Sequence, residues 1–118
     1  VAEEGNQTVG FVIFYHPTIL PSKYHQYTNG NSAVYIAEAV VHRNYGSQGI
    51  GTRLLTLVIE RAPSLGASML IVDRHEQNAA SAGMMRKVGF KELDCFVDLR
   101  RREAGSQKTS ILSLKLQD

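Results

Sequence analysis

Apolar and polar positions along this chain change period several times, and each change marks an element. Val1 to Glu3 reads as a strand end, Gly5-Asn6 as a hairpin turn, and Thr8-Val9-Gly10-Phe11-Val12-Ile13-Phe14-Tyr15 as a β-branched, aromatic strand. Pro17 through Asn31 holds two prolines and several Asn/Gly punctuators without a sustained period, which predicts a long loop. Ala33 to His42 is small and apolar enough for a central strand buried on both faces, with Glu38 out of character inside it. From Gly49 to Ala62, Ile50, Leu54, Leu57 and Val58 recur at helical spacing, and Pro63 with Gly66 ends the run. Ser68-Met69-Leu70-Ile71-Val72 is a short buried strand, parallel to the one before, so the unit is β-α-β with a right-handed crossover. Asn78 to Lys87 predicts a second helix with a small-residue interior, stopped by Gly89. Leu93 to Leu99 and Thr109 to Leu116 alternate as two strands of an antiparallel hairpin, joined by polar Arg100 to Lys108.

The order of elements predicts one α/β (α+β) domain over residues 1–118, with a mixed, mostly antiparallel sheet, a parallel pair at its centre and helices on both faces. A net charge of +2 without a basic, aromatic-laced stripe gives no footprint for nucleic acid. No apolar run reaches the roughly 20 residues a membrane helix needs, and the first residues lack the basic-then-apolar layout of a signal peptide. Cys95 is the sole cysteine, which excludes an internal disulfide and a multi-cysteine metal site, and a cytoplasmic protein without metal is the expectation. Val1-Ala2-Glu3-Glu4 already has the look of an element's interior, so the chain is expected to be N-terminally incomplete.

The densest chemical signal is Tyr45-Gly46-Ser47-Gln48-Gly49-Ile50-Gly51, between the strand and the first helix. A glycine-rich turn there exposes backbone N–H groups at the positive end of a helix and lets a phosphate or pyrophosphate approach the main chain. A plain tight turn needing positive φ fits the same residues. A dinucleotide fingerprint is the third reading, with Asp73 near the place of a ribose-binding acid, although Leu54 stands where a small residue belongs. No Gly-Lys-Ser/Thr follows, which disfavours a Walker loop.

Two separated motifs give the chain a resemblance to the GCN5-related N-acetyltransferases. Gly46-Ser47-Gln48-Gly49-Ile50-Gly51-Thr52 matches the family's Arg/Gln-x-x-Gly-x-Gly/Ala helix opening except at its first position, and Asn78-Ala79-Ala80-Ser81 running to Gly89-Phe90 matches its Asn, helix and Gly-Phe. The resemblance implies that acetyl-CoA is the cosubstrate. It implies that the backbone of Ala39, Val40 and Val41 holds the pantetheine arm and that the amides of Gly46, Ser47, Gln48, Gly49, Ile50, Gly51 and Thr52 cradle the pyrophosphate. Asn78 would hold the pantetheine from the other side, with Ser81 and Met84 lining the slot. Two departures stand out: Gly46 replaces the usual Arg or Gln, and Met85 stands where many members place a tyrosine as general acid.

Attack of an amine on a thioester requires the ammonium to lose a proton, so a carboxylate near the strand ends is sought as base. Glu38 is the first candidate and Asp73 the second, against surface-glutamate and loop-acid readings of the same residues. Tyr24 and Tyr27 are placed in the long loop, at the border of an acceptor pocket. His16, His25, His42 and His75 have no metal-site spacing, Cys95 reads as a small core residue, and Arg100-Arg101-Arg102 as a solvated flank. The expected activity is acetyl transfer from acetyl-CoA to a primary amine of a small molecule or protein in a ternary complex. The alternatives are an acyl-CoA-binding module without activity and, more distantly, an NAD or FAD enzyme. A homodimer is expected, through an exposed sheet edge and apolar face.

Overall fold

The computed structural model describes residues 1–42, 49–75, 79–97 and 108–116. Among these residues six strands form one sheet: β1 (Ala2–Glu4), β2 (Gln7–Tyr15), β3 (Ala33–Val41), β4 (Met69–His75), β5 (Lys91–Val97) and β6 (Lys108–Lys115). Their order in space is β1-β2-β3-β4-β6-β5. Strands β3 and β4 are parallel, and every other neighbouring pair of the six is antiparallel. The mixed sheet with a central parallel pair is the architecture expected from the pattern.

Local chemistry explains the joints. Gly5 takes φ 61° between β1 and β2, where Glu4 pairs with Gln7 across a two-residue turn. Helix α1 (Ile50–Arg61) buries Gly51, Leu54, Leu55 and Val58 on one stripe and leaves Leu57 exposed. Its C-terminal side closes through Ala62–Leu65, with Gly66 at φ 82° and the Ala67 N–H donating to the Ala62 carbonyl. Helix α2 (Ala79–Val88) stops at Gly89, φ 104°, where the Gly89 N–H donates to Arg86 O and the Phe90 N–H to Met85 O. This pair of bonds is the Schellman arrangement, and Phe90 turns into the core behind it.

Side chains alternate between two apolar layers. On one face Val34, Ile36, Leu70, Val72 and Leu112 meet Leu55, Val58 and Met85 from the helices and Phe90 from the turn after α2. On the other, Ala33, Tyr35, Met69, Ile71 and Ile111 meet Tyr24. The segment expected to be a long loop folds as two 3-10 turns, Pro17–Ile19 and Ser22–Tyr27, and lays Tyr24 on this second face. Burial of β3 also differs from expectation. Ala33 to Ile36 are buried, whereas Ala37 to Val41 alternate between half-buried and exposed.

Candidate functional site

Strands β3 and β4 pair only from Ala33 with Met69 to Ile36 with Val72. Beyond that point each keeps its other neighbour. Glu38, Ala39, Val40 and Val41 stay with Ile13, Val12, Phe11 and Gly10 of β2, while Asp73, Arg74 and His75 stay with Ile111, Ser110 and Thr109 of β6. A parallel pair that parts at its C-terminal end leaves a cleft flanked by backbone groups outside the central ladder. The register slip that accompanies the parting lies at Ala37, which is extra between the pairs Phe14–Ile36 and Ile13–Glu38.

Helix α1 begins at Gly49 in the left-handed conformation, φ 75°, and the first helical bond runs from the Arg53 N–H to Gly49 O at 3.1 Å. Gly49 has no side chain to cap the helix, and the first turn carries no acid. The early N–H groups of Ile50, Gly51 and Thr52 therefore form a positive end suited to an anion. A Cβ on Gly51 would stand 2.5 Å from Met84 Sδ and 3.6 Å from Val41 Cγ2, so the start of α1, the end of β3 and the middle of α2 converge there. The two sequence motifs, distant in the chain, meet at this point. Gly46, Ser47, Gln48 and Asn78 lie outside the described residues, as do Arg100 to Arg102. Ser81 lies in the first turns of α2.

The candidate carboxylates take contrasting positions on one face. Val12 and Ala39, which oppose each other, pack toward the helices, so the neighbouring pairs Ile13–Glu38 and Phe11–Val40 point to the opposite face. Asp73 follows Met69 and Ile71 in the alternation of β4 and shares that face. Glu38 is exposed there. Asp73 is 7% exposed, and its Oδ2 accepts hydrogen bonds from the phenols of Tyr24 and of Tyr35, the latter at 2.9 Å.

Burial shifts the phenols of Tyr24 and Tyr27. Desolvation, and then the bond and charge of Asp73, push the Tyr24 hydroxyl far above the usual tyrosine range. Tyr27 donates to Asp94 Oδ2 at 2.7 Å, and burial followed by that bond raises it to about 12. The Tyr24 and Tyr35 rings lie 5.0 Å apart, and Tyr15 stands 5.7 Å from Tyr35.

Tyr24 is thus a core residue joined to Asp73 rather than the rim of a pocket, and Asp73 is a buried acceptor rather than a loop acid. Tyr35 was not singled out by the sequence pattern; its one signal is a hydroxyl inside an otherwise aliphatic run. Met85, at the place of the expected acid, is 3% exposed and packs in the helix-side core. Cys95, expected in the core, is exposed on the edge strand β5. His16 accepts from the Thr18 N–H and the His25 ring contacts Leu20 O, so both serve local turns.

A six-stranded mixed sheet whose parallel pair opens beside a glycine-started helix defines an α/β fold with main-chain groups lining an opening at its switch point. The chain belongs to the acetyltransferase (GNAT) family, whose model matches residues 1–90. Among solved structures it is similar to a ribosomal-protein-alanine N-acetyltransferase from Brucella melitensis, at 24% identity and TM-score 0.78, covering 98% of this chain and 67% of that one. A putative acetyltransferase from Salmonella typhimurium with its cofactor acetyl-CoA matches at 21% identity and TM-score 0.77, with coverage of 98% and 62%. The ribosomal-protein-S18-alanine N-acetyltransferase from Escherichia coli matches at 18% identity and TM-score 0.75, with 98% and 66% covered. At these identities the likeness establishes the fold, and the chain spans about two thirds of the length of these relatives. A search among curated proteins finds no match.

Proposed function

We propose that the chain transfers acetyl from acetyl-CoA to a primary amine. The observation that carries this reading is the parting of β3 and β4 after Ile36 and Val72, with the Gly49-Ile50-Gly51 start of α1 beside the end of β3. The residues fit the cosubstrate. Ala39, Val40 and Val41 offer main-chain groups for an extended amide-bearing arm, and the first turn of α1 offers N–H donors for a diphosphate.

In the proposed transfer, the neutral amine nitrogen attacks the thioester carbonyl, the C–N bond forms, the C–S bond breaks to release the coenzyme A thiolate, and the second proton of the nitrogen passes through water to that thiolate, leaving the amide and the coenzyme A thiol. Glu38, exposed on the face of Asp73, takes the proton lost by the ammonium. Asp73 plays a different part, accepting from two phenols and tying Tyr35 and Tyr24 into the core on that face. Rate enhancement then comes from holding amine and thioester together. The coenzyme A thiol is acidic enough for its thiolate to leave without a donor, which accords with a core methionine at position 85.

Thiol release measured over an amine panel, with calorimetry on acetyl-CoA, tests the proposal. Binding with thiol release on at least one amine is expected, and Glu38→Gln is expected to flatten the alkaline-rising limb of the pH profile. An unchanged profile removes Glu38 from the mechanism. A second reading, a module that binds acyl-CoA without turnover, is motivated by Met85 and Gly46; binding without release on any amine would select it.

A further inference from the structure

The face that carries Glu38 has a composition of its own. Ile13, Tyr15 and Val40 are 40%, 37% and 42% exposed, and Phe11 beside them is half-buried. The four make one strip, because Phe11 opposes Val40, Ile13 opposes Glu38 and Tyr15 opposes Tyr35 across the β2–β3 ladder. The Ala37 bulge brings this about. Without the extra residue, continued alternation from Ile36 would carry Glu38 to the helix side and Ala39 to the strip. One carboxylate therefore stands within an apolar surface, and Tyr15 links it through the Tyr35 ring to the Asp73 cluster.

We infer that the acceptor is a hydrophobic primary amine, an ammonium carried on an alkyl or arylalkyl group, seated on the Phe11–Ile13–Val40 strip with its nitrogen at Glu38. The inference rests on the transferase reading and names its substrate class. Charge and shape both select this class. An ammonium satisfies Glu38, an apolar body covers side chains that water otherwise wets, and a small polar amine leaves them uncovered. A free amino acid brings a second carboxylate next to the nitrogen, within reach of Glu38, and like charges at that distance disfavour it.

The test is acetyl-CoA-dependent thiol release with phenethylamine, ethanolamine and free phenylalanine. A kcat/KM for phenethylamine about tenfold or more above each of the others is expected, a span that apolar pocket contacts provide. Ile13→Ser is expected to lower the phenethylamine value, with thermal unfolding as the check that the variant is folded. Comparable kcat/KM for the three amines overturns the inference and leaves the transferase reading standing. If acetyl-CoA binds but no amine gives release, the transferase reading fails, and calorimetry of phenethylammonium decides the strip on its own. Binding abolished by Glu38→Gln supports the site, and absence of binding overturns it. A dimer in light scattering that Ile13→Lys dissolves shows a second copy on the strip and overturns the inference.

Discussion

Two phenols share one carboxylate oxygen at Asp73, and that sharing ties the Ser22–Tyr27 turn to the sheet. Removing one donor from a buried carboxylate costs more than a surface hydrogen bond, because the remaining acceptor capacity stays desolvated. Tyr24→Phe is therefore expected to lower unfolding free energy by about 1–3 kcal/mol in urea denaturation. The phenols of Tyr24 and Tyr27 set an alkaline limit. Both Tyr24 and Tyr27 titrate higher in the fold than in the unfolded chain, where a tyrosine titrates near 10. As pH rises the unfolded chain loses these protons first, so it binds fewer than the native state and stability falls. The contribution of Tyr27 is full below about pH 10 and lost as pH approaches 12. Tyr27→Phe is expected to shallow the fall of denaturation midpoint across roughly pH 9.5 to 11.5, the range just around and above the ordinary tyrosine value. An identical slope in the variant would sink the assignment.

Elements with a clear period were legible, and those governed by tertiary contacts were not. The spacing of Ile50, Leu54, Leu57 and Val58 marked α1, although Leu55 rather than Leu57 completes the buried stripe, and Gly66 and Gly89 marked the helix ends because positive φ is needed there. Gly89→Ala combines a strained φ with a Cβ 3.3 Å from Leu114 Cδ1, and is expected to cost about 1–3 kcal/mol, read as a lower melting temperature. The Pro17–Asn31 stretch was unreadable as structure. Its 3-10 turns carry no apolar period, and Tyr24 is held in the core by a carboxylate 49 positions away. β3 was misjudged in its second half for a related reason. Ala37 to Val41 are as apolar as a central strand, but their place beside a cleft rather than beside β4 depends on where the parallel ladder stops. The glycine motif marked the turn into α1 at Gly49, whereas the contact of Tyr35 with Asp73 needed the fold that sets them together.

At the scale of the molecule, the sheet is two antiparallel blocks, β1-β2-β3 and β4-β6-β5, joined by four parallel residue pairs and by contact between the two helices. The Tyr24–Asp73, Tyr35–Asp73 and Tyr27–Asp94 bonds add side-chain links across this seam. A ligand that fills the opening touches both blocks, so it stabilises their docking as well as the chain. Acetyl-CoA at a hundred times its Kd is expected to raise unfolding free energy by about 2.7 kcal/mol. Where the protection falls is the sharper test. Hydrogen exchange should slow at Ala39, Val40 and Val41, which lie past the last β3–β4 pair, and at the first turn of α1. Slowing confined to the distal hairpin of β5 and β6, or spread evenly over the sheet, would place the ligand elsewhere and separate the opening from the transfer chemistry.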